Sequence, residues 1–353
     1  MNWDPQWLYE VMSGRRRGVS ASALRAALSV FEPAYFLGVQ WRNRRFDSGR
    51  REATRVGVPV VSVGNITTGG TGKTPVVEWV ARRLREWQRH VVIISRGYGA
   101  EAGTQNDEAI ELEQSLPDVP HLQNPNRVEA ARAAIQQYGC QCILLDDGFQ
   151  HRRLARDLDI VLLDALEPFG FHHLLPRGIL REPLANLARA DWVGLSRANL
   201  IEDAKRQEIR EQVARFAPRA HWFEVSHEPM HWENDAGDCL PVGELLDRPL
   251  FAFCGIGNPN GFRRTLDQLG LDVQDLRVFP DHHTYGRQDV DSLADWVRGT
   301  PDATLVCTRK DLVKLRVDRI GSALVWSLRI GISFQVGEDE LERELRRVTS
   351  NTS

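Results

Sequence analysis

Apolar residues fall along this chain in two alternating rhythms. Short, nearly continuous runs such as Val58, Val60, Val61 and Val63 give way to stretches where they recur at helical spacing, as with Val76, Val77, Val80, Leu84 and Trp87. The first rhythm is that of a strand buried on both faces, the second that of an amphipathic helix. The same alternation predicts strands over 91–94, 142–145, 160–163 and 191–195, with helices over 127–138 and 202–216. A charged, Trp-containing stretch over 221–238 reads as irregular and marks a boundary. A second series follows, with strands over 251–254, 276–279 and 304–307, helices over 261–269 and 288–298, one or two strands between Ala323 and Phe334, and a closing helix over 338–348. Apolar strands separated by helices predict a parallel sheet covered on both faces. The expected division is an N-terminal segment (1–50), an α/β domain (51–225) and a smaller C-terminal α/β domain (226–353).

The N-terminal segment has its own pattern. Leu24, Ala27, Leu28, Phe31, Ala34 and Tyr35 share helical spacing, with Arg15, Arg16, Arg17 and Arg25 before them and Arg42, Arg44 and Arg45 after. This fits a helix lying on an anionic membrane surface, and equally a helix packed on the domain with solvated arginines. Pro33 is expected to kink or divide it. No run approaches the roughly 18 uncharged apolar residues of a membrane span. The opening residues do not read as a signal peptide, because Asp4 and Glu10 interrupt them and the arginines follow.

Composition narrows the classes. A chain of 353 residues, 42% hydrophobic and 26% charged, has the length for two cored domains. A net charge of −3 gives no reason to expect a nucleic-acid partner. The five cysteines, at 140, 142, 239, 254 and 307, are odd in number and mostly within apolar runs, as expected of reduced, buried thiols.

The stretch after Val63 carries the clearest chemistry. Gly64, Gly69, Gly70 and Gly72 can turn successive N–H groups inward around phosphate oxygens, and the following helix adds the positive end of its dipole. Lys73 is placed to reach the β- and γ-phosphates and the Thr74 hydroxyl to ligate Mg2+. Pro75 is compatible with the first helical turn. One residue departs from G-x-x-x-x-G-K-[ST]: Thr67 stands where the first glycine belongs. Asp146 and Asp147 end an apolar strand, where a phosphate-loop protein keeps its metal-binding carboxylate. Two adjacent carboxylates repel unless a cation neutralises them; solvated turn aspartates are the alternative. Asp107 has no signature of its own. Asp281-His282-His283 allows structural, metal-binding or acid–base roles. Gly255-Ile256-Gly257-Asn258-Pro259 only partly resembles a dinucleotide turn.

Taken in order, SVGNITTGGTGKTP, SRGYG, the NDE loop, DDGFQHRRLARDLDIVLLDA, LLPRGILREPLANL, GIGNP, FPDHHTY and TRKD make the chain resemble the tetraacyldisaccharide 4′-kinase (lipid A 4′-kinase) family over roughly residues 15–335. The family itself carries threonine at the position of Thr67. The resemblance implies a P-loop NTPase-like α/β/α sandwich with a second, smaller α/β/α domain, a short β linker and an active site in the cleft between them. It implies transfer of the ATP γ-phosphoryl group, with Mg2+, to the 4′-hydroxyl of a tetraacylated glucosamine disaccharide 1-phosphate. By the resemblance, Thr67, Thr68, Gly69, Gly70, Thr71, Gly72, Lys73, Thr74 and Gln150 bind nucleotide, while Thr74, Asp146, Asp147 and Glu182 hold the metal. Arg127 and Arg181 bind substrate, Asp107 is the base, and His282 pairs with it across the cleft. The acyl chains of such a substrate favour the membrane-surface reading of the N-terminal helix, on the cytoplasmic face of the inner membrane, and no protein partner is implied. The chain departs from the family at Asn106 and Ala109, which flank the Asp-Glu pair, and at Arg309. A nucleotide-driven switch or metal chaperone is the rival reading; it accounts for the loop and Asp146-Asp147 but not for the N-terminal segment.

Overall fold

A computed structural model describes residues 5–97, 107–245, 248–257, 259–281 and 283–350, with backbone alone for Pro5, Gln6, Asp107 and Glu108. In chain order the elements of the first half are α1 (Pro5–Met12), α2 (Val19–Asp47), β1 (Val60–Asn65), α3 (Lys73–Glu86), β2 (Val91–Ser95), α4 (Asp107–Ser115), β3 (His121–Gln123), α5 (Arg127–Tyr138), β4 (Cys142–Asp146), β5 (Leu158–Asp164), β6 (Trp192–Ser196) and α6 (Asp203–Phe216). The second half holds β7 (His221–Glu233), β8 (Cys239–Pro241), β9 (Leu250–Cys254), α7 (Pro259–Gln268), β10 (Val273–Val278), α8 (Arg287–Val297), β11 (Thr304–Thr308), α9 (Arg309–Leu315), β12 (Arg319–Ile320), β13 (Ala323–Val336) and α10 (Glu338–Ser350).

The chain forms two compact units. The first takes the described residues of Met1–Gly97, Asp118–Ser226 and Ser333–Ser353. Its strands run in the order β7-β6-β5-β1-β4-β2-β3, with every neighbouring pair parallel. β1 is buried along all six residues, which explains why it reads as a continuous rather than an alternating run. It lies between β4 and β5, so the chain departs to one side of β1 and later continues on the other. Parallel sheets of this kind bind ligands outside the carboxyl ends of the strands near such a reversal. The second unit takes the described residues of Tyr98–Pro117 and His227–Ile332. Its parallel strands run β10-β9-β11-β13, with β12 antiparallel on β13 and β8 antiparallel on the end of β7.

Several expectations change. The stretch over 221–238 is not irregular: His221–Glu233 is one strand, buried over Phe223–Ser226 and alternating thereafter. The unit boundary does fall within it, between Ser226 and His227. Pro33 neither breaks nor divides α2. The lost N–H removes one helical bond, and the helix is tied down on both sides of it, by Glu32 accepting from the Leu174 amide (2.7 Å) and by the Tyr35 hydroxyl donating to the Arg181 carbonyl (3.0 Å). The units do not follow 51–225 and 226–353. α10 returns to the first unit, where Leu341, Leu345 and Val348 are buried. α4, the helix that begins at Asp107, belongs to the second, where it packs on α9.

Candidate active site

The loop after β1 is shaped by its partners as much as by its glycines. Gly69 (φ 100°) and Gly72 (φ 73°) hold left-handed backbone, Gly72 as the N-cap of α3. Thr67 instead pairs with Leu180 as an antiparallel bridge, the Thr68 amide donates to the Ile179 carbonyl (2.7 Å), and the Arg181 amide to the Ile66 carbonyl (2.8 Å). Thr67 is therefore held in a strand-like bridge between bends at Ile66 and Thr68, a pairing that a β-branched residue favours. That is why threonine stands in the glycine position. At the far side of the loop the Asn65 side-chain amide donates to the Thr71 hydroxyl (3.1 Å), and Arg197 donates to the Gly70 carbonyl (2.7 Å) while paired with Asp164.

The acidic pair is brought to this loop by strand register. Val63 of β1 lies opposite Asp146 of β4, and the Asp147 amide donates to the Val63 carbonyl (2.9 Å). Asp147 itself takes the left-handed region (φ 55°), so the backbone turns sharply after the strand. The approach is close. A Cβ on Gly64 would lie 2.7 Å from that of Phe149, and one on Gly148 would lie 2.5 Å from the Ser62 hydroxyl. Two glycines are required here by contact rather than by dihedral.

Around Asp147 the predicted residues converge. Lys73 Nζ lies 3.7 Å from Asp147 Oδ1, and Arg181 donates to Oδ2 at 2.7 Å. The same guanidinium reaches Gln150 Oε1 at 3.4 Å, and Gln150 Nε2 donates to the Asn65 carbonyl at 2.6 Å. Burial alone would raise the Asp147 carboxyl, but Lys73, Arg181 and Arg127 outweigh it and hold the group below the ordinary carboxylate value. Arg127, at the start of α5, is buried; its affinity for its proton is lowered by that burial, against the opposing pull of Asp147 and Asp146. Its Nε has no hydrogen-bond partner among the described residues. Thr74 follows Lys73 in the first turn of α3. Hydroxyl and carboxylate oxygens are the donors a hard cation such as Mg2+ takes, so Thr74, Asp146 and Asp147 suit one chemically.

Two other expectations come out differently. Glu182 is fully buried, with Oε1 paired to Arg42 (2.6 Å) and Oε2 to Arg189 (2.6 Å) and Asn186 (2.9 Å). With both oxygens held by cationic or amide donors, it serves as an anchor between α2 and the segment behind Arg181. The expected placement of Asp107 and His282 in separate domains also changes, since α4 lies in the second unit together with the chain around Asp281 and His283. The Asp107 side chain and His282 lie outside the described residues. His283 is engaged: Nε2 lies 3.1 Å from Asp289 Oδ2, and its ring stacks on Phe279 at 4.9 Å.

Sequence reasoning did not single out Asn65, Asp164 or Arg197 for the loop. Asp164 ends β5 and Arg197 directly follows β6, at the carboxyl ends where ligands of parallel sheets bind; that position was the available signal.

Comparison with known proteins agrees on one family. The tetraacyldisaccharide-1-P 4′-kinase family model matches residues 24–350. A tetraacyldisaccharide 4′-kinase of Anaeromyxobacter sp. (strain Fw109-5) is 37% identical over 349 residues, 94% of each chain. One from Halothermothrix orenii is 34% identical over 342 residues, 89% of each chain. Among solved structures, LpxK from Aquifex aeolicus in complex with ATP superposes with a TM-score of 0.76 at 30% identity, covering 92% of this chain and 99% of that one.

Proposed function

We infer the division of labour among these side chains from one premise: the chain belongs to the tetraacyldisaccharide-1-P 4′-kinase family. It is an ATP-dependent kinase, using Mg2+, that transfers the γ-phosphoryl group to the 4′-hydroxyl of a tetraacylated disaccharide 1-phosphate, a lipid A precursor. The relatives give no support to a regulatory switch or metal chaperone.

The observation that supports our residue assignments is the convergence of Lys73, Arg181 and Arg127 on Asp147 beside the loop. Phosphoryl transfer asks a protein chiefly for positioning and charge neutralisation. We assign the loop from Thr67 to Thr74 to the triphosphate: its amides and Lys73 meet phosphate oxygens, with Gln150 fixing the loop's entry through the Asn65 carbonyl. Thr74, Asp146 and Asp147 are the residues we assign to Mg2+, which when bound neutralises phosphate charge. Arg181 and Arg127 offer guanidinium groups to phosphate on the donor or acceptor. Asp107 takes the proton of the attacking hydroxyl, and His282 orients Asp107 or stabilises its protonated form.

The acceptor is a lipid, and α2 offers the means to meet it. Val30, Phe31, Leu37 and Trp41 are exposed, and Arg45 lies over the Trp41 ring at 4.9 Å. We assign this face to the cytoplasmic surface of the inner membrane, with the protein held peripherally. No helix among the described residues is long and apolar enough to cross a membrane.

The test is incubation with γ-labelled ATP and the disaccharide lipid in detergent or vesicles. Label is expected on lipid; label released only as free phosphate would sink the transferase reading. In the same assay Asp107→Ala is expected to lower kcat by a factor on the order of 10²–10⁴, the usual range for loss of a general base. Wild-type turnover in that variant would remove Asp107 from the role.

A further inference from the structure

Three motifs of the second unit converge on one carboxylate. Asp311, in the first turn of α9, is fully buried. Its Oδ1 accepts the backbone N–H of Gly255 at 2.9 Å and the Tyr285 hydroxyl at 2.7 Å; its Oδ2 accepts the Thr308 hydroxyl at 2.5 Å. One side chain thus joins the glycine turn after β9, the segment following β10 and the end of β11. Gly255 fits against the same point. A Cβ there would lie 3.1 Å from the Pro280 carbonyl oxygen, 3.2 Å from Asp311 Oδ1 and 3.2 Å from His283 Cβ. Pro280 and His283 flank the Asp281-His282 pair, so the chain on both sides of His282 rests on Gly255 and, through it, on Asp311. Tyr285 extends the support, with its ring edge-on to Phe279 (5.1 Å) and His283 (5.0 Å).

A buried carboxylate is expensive to keep, and apolar residues would fill such a core as well or better. What the carboxylate adds is direction. Three donors from three separate segments must meet its two oxygens, which fixes those segments against one another. We propose that Asp311 is a positioning residue for phosphoryl transfer: through Gly255 and Tyr285 it fixes the chain at Pro280 and His283, on either side of His282. The proposal rests on the assignment of His282 and Asp107 to the reacting hydroxyl.

A double-mutant cycle in the full-length enzyme separates the two claims. Asp311→Asn keeps the shape but removes the charge and one acceptor, and Tyr285→Phe removes a single donor. Misplacement of reacting groups by about an ångström costs on the order of a hundredfold. We therefore expect Asp311→Asn to lower kcat about 10- to 100-fold and Tyr285→Phe about 3- to 10-fold, with KM for ATP within about twofold of wild type. In a His282→Ala background the same substitutions should cost less than about twofold further, since the group they position is gone. An impaired His282→Ala enzyme in which they cost their full factors again would overturn the role of Asp311 and leave His282 in place. So would unchanged kcat in both single variants. His282→Ala at wild-type turnover would overturn both the histidine assignment and the proposal. Should Asp311→Asn fail to fold, the cycle built on Tyr285→Phe distinguishes the same outcomes.

Discussion

Thr67 shows how a single residue is legible in kind but not in cause. The phosphate loop could be read from Gly72-Lys73-Thr74 between a strand and a helix, yet the threonine at the glycine position made sense only by family resemblance. Its physical reason is tertiary: Thr67 is bridged to Leu180, and Thr68 and Ile66 are hydrogen-bonded to Ile179 and Arg181, a segment more than a hundred residues away. The same holds for Gly64, whose place in the loop suggested freedom of dihedral and whose actual constraint is the body of Phe149. Gly64→Ala is expected to push the Asp147–Phe149 turn away from β1, lowering stability by about 1–3 kcal/mol, the usual cost of overpacking. Urea unfolding measures this, and a neutral effect would show that the turn can yield. Arg197 bears on the other end of the loop. Through Asp164 and the Gly70 carbonyl it holds the tip in place without an obvious part in chemistry. Arg197→Met is expected to raise KM for ATP several-fold while kcat changes by less than about threefold, as loss of a hydrogen bond to a charged group worth about 1.5–3 kcal/mol allows. A fall confined to kcat would place Arg197 in the transition state instead.

At the scale of elements, buried strands and amphipathic helices were the most legible features, because period and length are local properties. β1, β4, α5, α6 and α10 lie where the apolar rhythm puts them. β7 was not legible. Its apolar residues are interrupted by His221, Glu224, His227, Glu228 and His231, and the strand is specified by pairing to β6 and β8 rather than by its own pattern. α4 escaped for a related reason: it is short, and its Ala109 and Leu112 are buried in a helix that packs on distant α9. α2 could be read as a helix but not as bound or free on its outer face. The structure gives it both characters. Ala21, Val39 and Asn43 are buried and Arg42 is paired with Glu182, while Val30, Leu37 and Trp41 line up on the exposed side. Replacing these three by Asp should abolish sedimentation with anionic vesicles and leave turnover on detergent-dispersed lipid within about threefold, since each apolar side chain withdrawn from the interface forfeits roughly 1.5–3 kcal/mol. Unchanged sedimentation would assign the stripe to some other contact.

For the molecule as a whole, placing the site at the carboxyl ends of a parallel sheet gathers cations as well as carboxylates, and this leaves a mark on stability. His151, three residues beyond Gly148 in the turn that follows the acidic pair, is lowered from 6.5 to about 4 by burial and then by Arg127, Arg153, Arg156 and Arg51. Its Nε2 is buried without a hydrogen-bond partner among the described residues, so the folded state holds the ring neutral. The sign follows from linkage. Between about pH 6.5 and pH 4 the unfolded chain binds a proton at this position that the folded chain refuses, so lowering the pH favours unfolding throughout that window and no further below it. Asp159, which is buried, and Asp191 act in the opposite sense, since desolvation raises both carboxyls and the folded state takes up their protons more readily. Total stability therefore does not isolate the histidine, but a difference does. His151→Gln removes the titration and leaves the aspartates as they were. Measured by urea unfolding at pH 7.5 and again at pH 4.5, the wild type is expected to lose roughly 2–3 kcal/mol more than the variant, on the basis of about 1.4 kcal/mol for each pH unit between 6.5 and 4.5. Equal losses would mean that the arginines around His151 relax on acidification and let the ring take its proton within the fold.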